Sequence, residues 1–259
     1  MSATLKTHSH DGTLVLSIHN PEHRNALGPE IYVAGIEALI AAERNAEVRS
    51  VVITGEGGTF CAGGNLQRLL ANRQQPPEVQ ADSIEALHSW IEAVRSFPKP
   101  VLAAVEGACA GAGFSLALAC DLIVAARDAV FVMAYVNVAL SPDGGATWSL
   151  MRQLPRATAL RLLMLGERVG AERLHQLGVV SAVSAPGEAL EQALHLGEQL
   201  NAKAPNALAS IKALANDALE HSLSRQLREE RDHFVRNLHH PNAGEGIRAF
   251  LDKRTPSYR

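Results

Sequence analysis

Two glycine-rich turns carry the part of this chain best suited to chemistry. The first is Gly55-Glu56-Gly57-Gly58-Thr59-Phe60-Cys61-Ala62-Gly63-Gly64-Asn65-Leu66. It follows the apolar run Val51-Val52-Ile53-Thr54 and leads into the amphipathic Leu66-Gln67-Arg68-Leu69-Leu70. The second, Gly107 to Gly113, follows Val101 to Val105 and feeds a small-residue helix, Phe114 to Ala119. Each reads as strand, glycine loop, helix. Glycine has no Cβ, so backbone N–H groups in such loops can approach a ligand closely. An oxygen bearing negative charge is their natural guest. Taken singly, either loop is equally a tight turn with structural glycines. Taken together, they allow one backbone N–H from each to hold a single oxygen, with the second helix adding its positive dipole end. A dinucleotide fingerprint beginning Gly111-Ala112-Gly113 is disfavoured, because Leu116 stands where its third glycine belongs.

Two side chains offer proton chemistry. Asp143 lies in Ser141-Pro142-Asp143-Gly144-Gly145. On residue types alone, this is a turn whose aspartate caps the helix that follows. His88 falls four residues after Ile84 and three before Ile91, on the inward face of a helix. A histidine there is ordinarily packed and hydrogen-bonded.

The elements that must position these groups alternate. Leu14 to Ile18, Val48 to Thr54, Val101 to Val105 and Asp121 to Val124 read as strands. Ile31 to Ala42, with Pro29 near its start, and Asp82 to Val94 read as helices. Residues 72–78, with two prolines, read as a mobile, irregular surface segment. The alternation implies an α/β fold. After about residue 186 the strand signals stop, and Gly187 to Asn201, Ala207 to Leu219, Ser222 to Leu238 and Ala243 to Asp252 read as helices. Leu208, Ile211, Leu214, Ala215, Ala218 and Leu219 form an apolar stripe on the second of these.

Composition narrows the class. Of the 259 residues 47% are apolar, enough for a substantial core, while aromatics are only 4%. The net charge of −3 gives no electrostatic reason to expect nucleic acid or an acidic membrane. Three cysteines, Cys61, Cys109 and Cys120, without CxxC spacing, argue against a disulfide framework or zinc site and for a reducing compartment. The N-terminus lacks a basic start and apolar core, so no signal peptide is expected. The uncharged run between Glu106 and Asp121 is shorter than the ~18 residues of a membrane span. A cytoplasmic protein is expected.

The chain resembles the crotonase family, also called the enoyl-CoA hydratase/isomerase family. The matching pieces are Asn20-Pro21…Arg24-Asn25-Ala26-Leu27, the loop Gly55 to Leu66, and Lys99-Pro100-Val101-Leu102-Ala103-Ala104-Val105-Glu106-Gly107. They continue through Ala110-Gly111-Ala112-Gly113, Cys120-Asp121, Leu140-Ser141-Pro142-Asp143-Gly144-Gly145-Ala146, Leu177-Gly178-Val179-Val180, and Glu245-Gly246…Phe250…Lys253. The resemblance implies a superhelix of ββα turns, with residues 1–200 as the core and 201–259 as a helical region assembling homotrimers or hexamers. It implies an acyl-CoA thioester as substrate, with coenzyme A entering only as part of that substrate and no metal. Backbone N–H groups of Gly64 and Ala112 would hold the thioester carbonyl. Ala62 would lie beside the adenine and pantetheine and Arg24 near the phosphates. Phe250 and Lys253 would reach the nucleotide from a neighbouring subunit.

Departures from the family pattern narrow the reaction. Its hydratases use two glutamates to position and activate water, and those positions map to Ser115 and Tyr135. Neither replaces a carboxylate as a base near neutral pH. Asp143, however, matches the place where isomerase-like relatives carry their catalytic acid. A carboxylate in a dry pocket can take a proton next to the thioester carbonyl and return it elsewhere, shifting a double bond. Phenylacetyl-CoA-pathway isomerases share the Pro-Asp-Gly-Gly turn. In a dehalogenase branch, a histidine matching His88 accompanies an aspartate nucleophile matching Asp143, and a large aromatic matches Tyr135 in the acyl pocket. An isomerase is therefore expected first, with an atypical hydratase or a hydrolase or dehalogenase using nucleophilic Asp143 behind it. A non-catalytic CoA-thioester-binding protein is the reading from another class.

Overall fold

The computed structural model describes residues 3–259. The chain opens with β1 (Thr4–His10) and β2 (Thr13–His19), then α1 (Pro29–Arg44) and β3 (Ser50–Gly55). Helices α2 (Leu66–Asn72) and α3 (Pro77–Ser96) lead to β4 (Val101–Val105), β5 (Ala108–Ala110) and α4 (Ala112–Ala119). Strands β6 (Leu122–Ala126) and β7 (Val130–Val132) precede a 3-10 turn at Ala134–Val138, then α5 (Ala146–Gln153) and α6 (Arg156–Leu165). Next come β8 (Arg168–Gly170), α7 (Ala171–Gln176), β9 (Ala182–Ser184) and α8 (Ala189–Asn201). The chain ends with α9 (Pro205–Asp217), α10 (Leu223–Leu238) and α11 (Pro241–Leu251). No helix among the described residues is long and apolar enough to cross a membrane.

A six-stranded sheet runs β1-β2-β3-β4-β6-β9, and a three-stranded sheet runs β5-β7-β8. β1 pairs antiparallel with β2, and the rest of the large sheet is parallel. The repeating unit is visible in β4-β5-α4: one strand enters the large sheet, the next enters the small sheet, and a helix returns. β6 and β7 repeat the step. The central strands are apolar throughout because both faces are covered. Leu16, Ile53, Ala103 and Val105 belong to the main core. Their neighbours Val15, Val52, Leu102 and Ala104 point the other way and pack with Ala193, Leu190 and Leu194 of α8. This two-residue alternation is the strand pleat.

The structure revises several sequence boundaries. The second glycine turn contains β5, whose three residues are too few to show a period. Helix α3 starts at Pro77, inside the segment expected to be irregular; proline suits a first helical turn, where its missing N–H is not needed. β1 shows no apolar alternation in Thr-Leu-Lys-Thr-His-Ser-His, because it is a largely exposed edge strand. The expected stripe is only partly covered: Leu208 and Leu214 are half-buried, while Ile211 is 62% and Leu219, just past the end of α9, 66% exposed.

Helices α1 and α3 meet at Gly35. A Cβ there would lie 2.3 Å from Trp90 Cε2 and Nε1, and Trp90 is fully buried. Gly35→Ala is therefore expected to destabilise the fold by about 1–3 kcal/mol through overpacking. A lowered midpoint in urea denaturation checks it; an unchanged midpoint would contradict the packing described.

Candidate active site

The two glycine loops are stitched together. Cys61 N–H donates to Ala108 C=O at 3.0 Å, and Ala110 N–H donates to Cys61 C=O at 2.9 Å. The contact is close. A Cβ on Gly63, whose φ is +95°, would sit 2.8 Å from Ala110 O and 3.5 Å from Ala112 N. A Cβ on Gly113 would sit 2.6 Å from Cys61 Cβ. Glycine at both positions is what lets the loops touch.

The first loop is held from its other side by Asn20 to Leu27. Asn25 Nδ2 donates to Glu56 O at 2.8 Å and Thr59 O at 2.6 Å, while Asn25 Oδ1 accepts from Asn20 N–H at 2.9 Å. Leu27 N–H donates to Gly63 O at 2.7 Å, and Ala62 N–H donates to Arg24 O at 3.0 Å. The Asn20–Leu27 motif is thus a clamp on the loop. Ala112 opens α4, so its N–H lies in a first turn where helix donors have no partner within the helix.

A cavity of about 540 Å³ opens at this junction. It is lined by Gly64, Ala112, Ala62, Asp143, Tyr135 and His88, six of the residues singled out from the sequence. Arg24, Phe250 and Lys253 do not line it. Arg24 meets the loop only through its backbone, and Phe250 is 84% exposed on α11.

Asp143 does not cap the helix after it. The N-cap of α5 is Gly145, without a side-chain cap. The Asp143 carbonyl accepts from Ala146 N–H at 3.2 Å and Ser115 Oγ–H at 3.0 Å, which fixes the turn. The carboxylate is left for the cavity, where Oδ1 accepts from Tyr135 O–H at 2.6 Å. Among the described residues, Asp143 is the one carboxylate in the lining. Burial, and then the neighbouring Asp143 charge, push the Tyr135 hydroxyl well above its ordinary range, so it remains a donor. Ser115 is buried, 3.3 Å from the Tyr135 hydroxyl. His88 is less enclosed than its helix position implies. Its side chain is 42% exposed, with Nδ1 3.7 Å from Glu85 Oε2. Cys61 is fully buried and does not line the cavity, and burial raises its thiol to about 12, which disfavours a thiolate there.

The structure adds residues that the sequence did not single out. Tyr32 of α1, Arg68 of α2 and Ser83 of α3 line the same cavity. Tyr32 lies inside an amphipathic helix with nothing to separate it from ordinary core. Arg68 follows Gly64 by one helical turn, where a basic residue reads as a solvated charge.

Known proteins resolve the assignment. The enoyl-CoA hydratase/isomerase family model matches residues 8–259. The chain belongs to this family. It is 34% identical over 259 residues to 1,2-epoxyphenylacetyl-CoA isomerase of Escherichia coli (strain K12), covering 100% of this chain and 99% of that protein. It is also 34% identical over 256 residues to a probable enoyl-CoA hydratase of Rhodobacter capsulatus, covering 98% and 97%. The crystal structure of an enoyl-CoA hydratase from Polaromonas sp. JS666 superposes with a TM-score of 0.98 at 68% identity, covering 99% of this chain and 100% of that one. The two sheets and C-terminal helices are the crotonase fold, and the protein is an acyl-CoA enzyme of the hydratase/isomerase family.

In this family member, Tyr32 reports on the cavity. Burial raises its hydroxyl from 10.0 to about 12; Arg68 opposes the shift and the Asp143 charge adds to it. An unfolded tyrosine ionises near ~10, so above that pH unfolding releases a proton that the folded state retains. Stability is thus expected to fall as pH rises from about 10 towards 12, and less steeply in Tyr32→Phe. Urea midpoints at pH 9 and 11 check this, and equal losses in both proteins would contradict it.

Proposed function

We propose that this protein is an isomerase that moves a double bond within a CoA thioester, with Asp143 carrying the proton. The observation supporting it is that Asp143 is the one carboxylate lining the cavity among the described residues. By resemblance, the positions of the two hydratase glutamates hold Ser115 and Tyr135. The thioester oxygen would lie between the N–H groups of Gly64 and Ala112. Asp143 takes a proton from the α-carbon, and the freed electron pair delocalises onto that oxygen as an enolate. As the pair returns, the double bond reforms one position along and the same proton goes to the γ-carbon. Tyr135 holds Oδ1, while Oδ2, which has no partner among the described residues, is free to meet the substrate. Tyr135 also forms part of the acyl pocket wall, and His88 stands at its edge.

The isomerase named among the relatives supports this reading. The hydratases named beside it make water addition the competing outcome. Residues 201–259 act as the assembly region in this proposal, giving a homotrimer or hexamer. Exposed Phe234, Leu238, Ile247, Phe250 and Leu251 on α10 and α11 favour such burial. Phe250 and Lys253 would then meet a neighbour's nucleotide, with Arg24 nearer the phosphates. A cytoplasmic setting suits the buried free thiols.

Asp143→Asn is expected to lower kcat for double-bond migration by about 10²–10⁴-fold while leaving binding of a saturated acyl-CoA unchanged. The wild-type product should have the mass of the substrate. Unchanged turnover in the variant, or a product heavier by one water, would overturn the isomerase reading. An acyl-enzyme on Asp143 seen by mass spectrometry would favour the nucleophilic route instead.

A further inference from the structure

We infer that Arg68 reads the far end of the acyl group and selects thioesters whose acyl chain ends in a carboxylate. The inference rests on the acyl-CoA reading above. Helix α2 begins two residues after Gly64, and Asn65 fixes its first turn by accepting from Arg68 N–H at 3.1 Å. The side chain thereby lines the same cavity as Gly64, Ala112 and Asp143.

The guanidinium is under-used where it sits. Its Nε is buried without a hydrogen-bond partner. Its Nη2 reaches Ser83 Oγ only at 3.4 Å, beyond the usual length of such a bond. Its other polar neighbour is the Tyr32 hydroxyl, a neutral hydrogen-bonding partner that leaves the positive charge without a counter-ion. Arg68 forms no ion pair among the described residues. Exposed Glu30 comes near the guanidinium over Gly28 without forming an ion pair: a Cβ on Gly28 would lie 3.0 Å from Glu30 Oε2 and 3.1 Å from Arg68 Nη1. Asp143, the cavity's carboxylate, is already bonded to Tyr135.

A buried donor without an acceptor carries a cost that a ligand acceptor removes. The planar fork of arginine fits a carboxylate with two parallel bonds, and its charge favours an anion over a neutral group. The same wall also carries apolar Leu69, Ile84 and Leu87, as suits a hydrocarbon chain.

The test is equilibrium binding of saturated, unreactive thioesters by calorimetry. Four-, six- and eight-carbon ω-carboxyacyl-CoAs are each compared with the methyl-ended acyl-CoA of equal length. For at least one length, the wild-type protein is expected to bind the carboxylate form about tenfold or more tightly. Arg68→Met should lose that preference while still binding the methyl-ended partner, which also shows that the variant is folded. Equal or weaker binding of every carboxylate form by the wild type, or a preference surviving in Arg68→Met, would overturn the inference alone. Failure of all thioesters to bind would overturn the acyl-CoA reading and the inference with it.

Discussion

The site depends on the contact between two loops that are far apart in sequence. Cys61 exchanges backbone hydrogen bonds with Ala108 and Ala110, and Gly63 lies against Ala110 and Ala112. That contact brings the Gly64 and Ala112 backbones to one cavity wall. It tolerates no side chain at Gly63 or Gly113, so the requirement falls on backbone geometry. The Asn25 amide meets part of that requirement by bonding two carbonyls of the first loop. The large parallel sheet provides the rest, since β3 and β4 are neighbours in register and deliver both loops from the same edge.

Donors of this kind favour any reaction that places negative charge on the guest oxygen. A single such donor is worth about 3–4 kcal/mol when judged by its removal. In the proposed mechanism the loops set the intermediate, while the groups facing the acyl carbons set its fate. In the proposed reading those groups are Tyr135, kept protonated by burial, and Asp143, freed from capping duty, while Ser115 is buried behind the wall. In the proposed mechanism one carboxylate both removes and returns the proton. That economy matches an isomerisation better than the ordering and splitting of water.

Much of this was readable from residue types and order. The buried strands announce themselves because both faces of a parallel sheet are apolar, as in Val51-Val52-Ile53-Thr54 and Val101 to Val105. The glycine loops are legible because their spacing reflects a steric need. The short strands β5, β7 and β8 are not, since three residues carry no period. Asp143 was ambiguous, because a turn aspartate and a catalytic one are identical in sequence. The structure removes the capping role, since the carboxylate caps no helix and instead accepts from Tyr135, eight residues earlier within a 3-10 turn. Tyr32 and Arg68 were invisible as site residues for a similar reason. Their membership comes from how α1 and α2 pack around the cavity, not from any local pattern.

The most direct measurement is a crystal structure with an unreactive acyl-CoA thioester bound. The thioester oxygen is expected about 2.7–3.1 Å from both Gly64 N and Ala112 N. An Asp143 carboxylate oxygen is expected about 3–3.5 Å from the α- or γ-carbon. A thioester oxygen bound away from those two N–H groups, or an Asp143 carboxylate turned from the acyl carbons, would contradict the proposed mechanism.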